Sequence, residues 1–290
     1  MESRDDRRRG RFIKLKIRNV MSLIFKPEKH QYVSIGDDNI EWTSVTSFIS
    51  KFKQPFDADG IAAKSSKSKK SKWYGMTPEE IKAAWKSESD RATTLGTWYH
   101  NQREADICGL LTIEREGVHI PIFKPIEKDG IKTAPDQKLS EGVYPEHMVY
   151  LKSAGLCGQS DLVEVVNGKV NITDYKTNKE IKTEGYVNWE GKKQTMLSPV
   201  SHLDDCHLMH YALQLSLYLY IILKHNPRLS PGKLTIHHII FEEAGRDKFD
   251  NPITALDNNG DPIVLDVVPY SLPYLKQEVI TLINHWKDNK

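Results

Sequence analysis

The spacing of apolar residues changes along the chain, and each change predicts an element. From Thr43 or Ser44, the residues Val45, Phe48, Ile49 and Phe52 fall on one helical face, and Pro55 ends that helix. Thr77-Pro78-Glu79-Glu80 predicts a second helix start, with Thr as N-cap, Pro at the first helical position and Glu three residues after the cap. This helix continues to about Leu110, with a break expected near 87–90. At Glu146 the period drops to two: His147, Val149 and Leu151 alternate with Glu146, Met148 and Tyr150, as in a strand. Leu156–Val166 and Lys169–Lys176 predict two more strands, joined by Asn167-Gly168, a pair that tolerates the positive φ of a tight hairpin turn. Residues 182–206 read as a long loop, 208–224 as a buried helix, 234–242 as a strand and 274–290 as an amphipathic helix. Helix, three strands, helix, strand is an α/β pattern with a mixed sheet.

Other segments show no period. Residues 1–18 hold eight Lys/Arg against three acids, and are either a tail or an arm that contacts phosphates. Residues 19–43 look irregular or extended, and 112–142 read as an irregular connection or short strands. The basic stretch 64–72 (KSSKSKKSK) cannot bury itself and reads as a mobile loop or a nucleic-acid contact. The chain therefore divides into a basic N-terminal extension (1–43), a helical region (44–110), a core of sheet and helix (111–245) and a C-terminal extension with a helix (246–290).

Composition sets limits on this picture. With 290 residues and 39% hydrophobic positions, the chain has enough apolar material for a core and is not wholly disordered. Its 41 Lys and Arg against 39 Asp and Glu leave a charge of +2, so attraction to a polyanion has to come from local patches. Cys108, Cys157 and Cys206 are odd in number and far apart, which argues against a disulfide scaffold. No apolar run approaches the length of a membrane span, and the first six residues lack the apolar run of a secretion signal. The expectation is a cytoplasmic protein that is not secreted and has no membrane partner.

The hairpin has a chemical consequence. If Asn167-Gly168 is a two-residue turn, Asp161 falls opposite Asp174, on the face that carries Val163, Val165, Val170 and Ile172. Opposed like charges destabilise a sheet, and a desolvated carboxylate needs a partner or a cation. Lys176 points to the same face and supplies one positive charge, which leaves an excess negative charge that Mg²⁺ or Mn²⁺ would neutralise. The alternative is a different register, with Asp161 at a frayed strand end and Asp174–Lys176 a surface pair.

These residues also resemble a family. Gly158-Gln159-Ser160-Asp161 followed by Asp174-Tyr175-Lys176-Thr177-Asn178 resembles the PD-(D/E)xK nuclease superfamily, in particular its RecB-like exonuclease branch. Gly96-Thr97-Trp98-Tyr99-His100 with Glu104 is similar to that branch's G-x-x-x-H-x-x-x-E helix, and Gln214-Leu215-Ser216-Leu217-Tyr218 to its Q-x-x-x-Y motif. The likeness spans roughly 90–245. It implies a restriction-endonuclease-like fold, with an α-β-β-β-α-β core, a mixed sheet and a helical N-terminal region. It also implies hydrolysis of DNA phosphodiesters with Mg²⁺ or Mn²⁺, in recombination, repair or genome processing.

By the same resemblance, Asp161, Asp174 and Lys176 are catalytic. His100, Asp161, Asp174 and the main-chain carbonyl of Tyr175 hold metal. Glu104, Thr177, Asn178, Gln214 and Tyr218 contact DNA or support the site. The implied partner is DNA, single-stranded or with free ends, in a bacterial or virus-infected cell. No G-x-x-x-x-G-K-[ST] occurs, so a motor would be a separate helicase, alongside a possible recombinase or single-strand-binding protein. A structure-specific or restriction-like endonuclease, or a non-catalytic DNA-binding assembly protein, are the competing readings.

The residues also have plainer readings. His100 could be a structural helix histidine, Glu104 a surface charge, and Gln214 and Tyr218 parts of a buried hydrogen-bond network. Glu146 opens a strand where related nucleases carry an acid near the metal, or is a solvated charge. His202, Cys206, His207 and His210 fit no zinc spacing, and three scattered cysteines argue against an iron–sulfur cluster. The tryptophans are core by default, although Trp73-Tyr74 beside the lysine run could stack on unpaired bases.

Overall fold

A computed structural model describes residues 22–289 apart from 27–28, 30, 37–39 and 189. The basic stretch 1–18 and Trp189 lie outside the described residues. Strands β1 (Ser22–Lys26) and β2 (Gln31–Ile35) pair antiparallel within the segment that reads as irregular or extended. A short β3 (Thr43–Ser44) leads directly into α1 (Val45–Ser50), where the Ser44 hydroxyl accepts the Ser47 N–H as N-cap. Helix α2 (Ala58–Lys67) enters the stretch predicted to be a loop. Asp57 caps it by accepting the Gly60 N–H, and Lys64 and Lys67 lie in the last turn, where cations complement the helix dipole.

Helix α3 (Pro78–Cys108) opens with the predicted capping box between Thr77 and Glu80. It does not break at 87–90, where Lys86–Asp90 (2.6 Å) and Arg91–Glu88 (2.7 Å) ion pairs lie along its surface. Next come β4 (Thr112–Arg115), β5 (Val118–Pro121), β6 (Ile126–Lys128) and β7 (Ile131–Thr133), which form two hairpins. The second of these joins the first pair of strands in a sheet of order β2-β1-β7-β6.

The main sheet follows. Strand β8 (Gly142–Leu151) begins earlier than its alternation suggests, because Val143 and Tyr144 are both buried, on different faces. Strands β9 (Leu156–Val166) and β10 (Lys169–Lys176) have the predicted bounds and the predicted turn, with φ of 51° at Asn167 and 70° at Gly168. Helix α4 (His207–His225) precedes β11 (Ser230–Phe241), which lies parallel to β10. A small hairpin of β12 (Glu243–Arg246) and β13 (Pro252–Thr254) leads to β14 (Val264–Leu272) and α5 (Lys276–Asp288). The sheet runs β14-β11-β10-β9, and β9 also pairs with β8 and with β3. With five α-helices among the described residues and both parallel and antiparallel strand pairs, the chain is a mixed α/β protein.

Helix α4 is apolar nearly all round because it is enclosed. Leu213, Leu217 and Ile221 pack with Val163, Val165, Val170 and Ile172 of the sheet, while α1 adds Phe48 and α5 adds Leu282 and Ile283. Burial of each such side chain contributes roughly 1.5–3 kcal/mol, so this layer holds the strands of the site in place. Residues 264–288, which the sequence reads as part of an extension, thus supply an edge strand and a core helix. No helix among the described residues is long and apolar enough to cross a membrane.

Candidate functional site

The β9–β10 ladder keeps the predicted register from Val166/Lys169 to Leu162/Thr173, and then the strands part. Asp161 and Asp174 are next in line, but they do not form the side-by-side pair that the hairpin predicts. The Asp161 carboxylate accepts the Tyr175 N–H (2.8 Å), so it takes the place of a strand carbonyl where the ladder ends. Asp174 is only 1% exposed and lies under α4. There Gln214 Nε2 donates to its Oδ1 (3.3 Å), and the Lys176 ammonium pairs with its Oδ2.

Two further residues gather around Asp161. His100 Nδ1, from α3, is 3.4 Å from Asp161 Oδ2 and 3.9 Å from Glu146 Oε1. His100, Glu146 and Asp161 each bring one potential donor atom within 4.8 Å of the others, and all three are half-buried. The other ring nitrogen, Nε2, donates to the Tyr175 carbonyl at 3.2 Å. That carbonyl, which the resemblance makes a metal ligand, here orients the imidazole. Gln159 donates to the second oxygen of Glu146.

Charge is concentrated here. Burial works against the His100 imidazolium, but the Asp161 and Glu146 carboxylates raise its pKa to about 10. Burial raises the pKa of Glu146, as does the Asp161 charge, while His100 pulls it down. Burial and the charge of Asp161 likewise raise Asp174. Desolvation opposes the Lys176 ammonium, yet Asp174 and Asp161 hold it firmly protonated. Three carboxylates and two cationic groups therefore share a space with little solvent.

The remaining predicted residues support this centre from its sides. Glu104 takes a two-pronged contact from Lys132 Nζ (3.0 and 2.9 Å), and that ammonium is also 3.9 Å from Glu146. Thr177 Oγ1 donates to the Ala92 carbonyl (3.3 Å), and a Cβ at Gly96 would come 3.2 Å from that oxygen, so the glycine lets α3 approach the end of β10. Asn178 Oδ1 accepts the Tyr211 hydroxyl (2.8 Å), and the Tyr211 ring lies beneath the Lys176 ammonium at 5.0 Å. Gln214 and Tyr218 are buried and 3.4 Å apart, so they form the interior network rather than a surface for DNA. The Tyr218 ring fills the space over Gly158, where a Cβ would meet it at 2.7 Å.

Lys132 is the residue that the sequence reading misses, because it lies in 112–142, where no period is visible. Glu146 is legible there only as one of two alternatives, and the structure puts it inside the cluster. The histidine-rich stretch forms no common centre: His202 meets Glu278, His207 the Glu180 carbonyl and His210 Asp205. Trp73 packs against Trp85 and Phe249, while Tyr74 is exposed.

No family model matches the chain, and no curated protein matches it. A solved structure described as "Crystal structure of SSO0001" aligns with 88% of this chain and 79% of its own, at 12% identity and a TM-score of 0.31. That likeness is too weak to carry an argument.

Proposed function

We propose that the chain is a Mg²⁺- or Mn²⁺-dependent DNA exonuclease on a restriction-endonuclease-like core of α3, β8, β9, β10, α4 and β11. One observation carries the reading. His100, Glu146 and Asp161 come from three elements distant in sequence and converge within 4.8 Å, next to the buried Asp174–Lys176 pair. Neither packing nor sheet stability accounts for this much charge in one place.

The donor set fits a hard divalent cation. Carboxylate oxygens with one imidazole suit Mg²⁺ or Mn²⁺, and a cation would offset the burial, and after it the Asp161 repulsion, that raise the pKa of Glu146. His100, Glu146 and Asp161 would hold it, with Asp174 at the side. When bound, it would lower the pKa of an attacking water and offset charge on the phosphate.

The protein groups have distinct tasks. His100 must give up its proton to act as a donor, and the Tyr175 carbonyl fixes the ring so that Nδ1 faces the two acids. Lys176 remains an ammonium, so it serves as a fixed positive charge for the phosphate rather than as a base. Gln214 holds Asp174 in position. The choice of exonuclease over endonuclease rests on the likeness of the Gly96–His100–Glu104 and Gln214–Tyr218 blocks to the RecB-like branch.

The test is an assay of end-labelled linear DNA and closed circular DNA with Mg²⁺, with Mn²⁺ and with chelator. We expect short products from linear DNA only, none with chelator, and none from Asp174→Ala or Lys176→Ala although both still bind DNA. Equal activity of the wild type and Asp174→Ala would remove the catalytic reading. Cleavage of circles would make the protein an endonuclease, and salt-sensitive binding without product under any cation would make it a binding protein.

A further inference from the structure

The segment between β5 and β8 builds a feature that the site chemistry does not use. After β5 the chain joins the edge of β8 through an isolated parallel bridge, Ile122 to Val143, and the Phe123 N–H donates to the Val143 carbonyl at 2.8 Å. This anchor lays the Phe123 ring flat on Tyr144, with centroids 4.7 Å apart and planes 11° from parallel. Gly142 makes room for it, since a Cβ there would lie 2.5 Å from Phe123 Cε2. Tyr144 is buried while Phe123 is 42% exposed, so the stack ends in an open ring.

That ring lines a pocket of about 490 Å³, whose walls include Lys124, Lys132, Glu146 and His147. The volume falls in the range of sites for small organic ligands. Lys124 is exposed and has no ion-pair partner among the described residues. His147 is 3% exposed, and its Nε2 finds no hydrogen-bond partner among the described residues, which is uncommon for a buried polar atom. Glu146 belongs both to this pocket and to the trio, and the Lys132 ammonium reaches Glu146 at 3.9 Å, so the two sites share a wall.

An aromatic platform, an unpaired ammonium and an unsatisfied imidazole beside a phosphodiester site match one kind of ligand. A nucleobase stacks on a ring whatever its identity, and its phosphate seeks a cation. We propose that the pocket seats the terminal nucleotide of the bound strand, with its base on Phe123 and its outer phosphate at Lys124. The role on a strand rests on the nuclease reading, but the affinity for a nucleotide does not.

The experiment separates the two. Full-length protein in chelator is titrated calorimetrically with dAMP, with deoxyribose 5-phosphate and with inorganic phosphate. We expect dAMP to bind at least tenfold more tightly than either of the others, Phe123→Ala and Phe123→Leu each to lose at least tenfold, and Phe123→Trp to keep the affinity. With Mg²⁺ and linear DNA, Phe123→Leu or an abasic end residue raises KM at least fivefold. Equal binding of dAMP and sugar phosphate, or unchanged dAMP binding by Phe123→Leu, overturns the pocket whether or not DNA is cut. Binding of dAMP through Phe123 by a protein that cuts no DNA leaves the pocket standing and removes the nuclease reading alone.

Discussion

Glu146 and Asp161 stand opposite each other in the β8–β9 pair, and at both residues the buried side of the strand changes. Tyr144 and Val149 both join the core under α4, although strict alternation would put them on different faces. Leu156 and Val163 do the same on the partner strand, while Cys157 and Leu162 both face away from α4. The register is unaffected: Pro145 pairs with Leu162 and His147 with Ser160, and only the Glu146–Asp161 rung between them is missing. Glu146 has a φ of 50°, a left-handed conformation that is rare for a side chain of its size. Matched irregularities thus turn two acids out of the alternation together, and strain of about 1–3 kcal/mol is held where the carboxylates gather.

Neutralising one acid should separate stability from activity. The raised pKa of Glu146, due first to burial and then to Asp161, means that its charge is a net burden on the cation-free fold. Glu146→Gln at pH 8 in chelator is expected to melt no lower than the wild type, while nuclease activity with Mg²⁺ falls at least a hundredfold. A lower melting temperature with full activity would show Glu146 to be only a structural residue.

Cation binding should be visible without any DNA. A ligand that binds only the folded state adds about 2.7 kcal/mol at a concentration a hundredfold above its Kd. Mn²⁺ is therefore expected to raise the melting temperature of the wild type by several degrees, and Asp161→Asn to abolish the rise. A rise of equal size in Asp161→Asn would place the ion elsewhere.

Gly158 sets the packing beneath Asp174. A methyl group there would stand 2.7 Å from Tyr218 Cε1, so Gly158→Ala has to displace a buried ring that is linked through Gln214 to Asp174. Overpacking of this kind costs about 1–3 kcal/mol. Urea melts should show that loss, and activity should fall with it although no side chain of the trio has changed.

The parts that could be read from the sequence are those set by local physics. Asn167-Gly168 specifies its turn through positive φ, and with it both strand bounds and the register as far as Leu162 and Thr173, one step short of the two acids. Thr77-Pro78 starts α3 by satisfying the N–H groups of its first turn. The side on which Glu146 and Asp161 lie was not legible, because a matched irregularity in two strands leaves no mark on either sequence alone. Alternation counted back from Val163 puts Asp161 beside Asp174, whereas the parted strands let it bond to Tyr175 and meet His100. Lys132 was hidden for a related reason, since its role depends on a short hairpin with no apolar period. Helix α2 formed where composition argued for a loop, because a lysine-rich stretch is a good C-terminal turn once Asp57 has capped the start.

Two histidines, His147 buried and His210 half-buried, should give the fold a dependence on acid that is separate from the site. His147 is held to about 4 by burial and by the nearby His225, and His210 to about 4 by burial and by Lys53, against the pull of Asp205. Both are neutral in the fold while the unfolded chain protonates near 6.5, so between these values the unfolded state binds more protons and stability falls with pH. The contribution is complete above about 6.5 and lost as pH approaches 4. For His147 it amounts to about 2–3 kcal/mol between pH 7.5 and 4.5. His100, raised to about 10, acts in another window, adding stability below 6.5 that is lost as pH climbs towards 10. Because burial also raises the carboxyls of Glu146 and Asp174, which adds a pH dependence of its own, the quantity to measure is a difference. Urea melts of wild type and His147→Gln at the two pH values should show the mutant losing less stability on acidification by that amount, and equal losses would mean that His147 takes up its proton in the folded state.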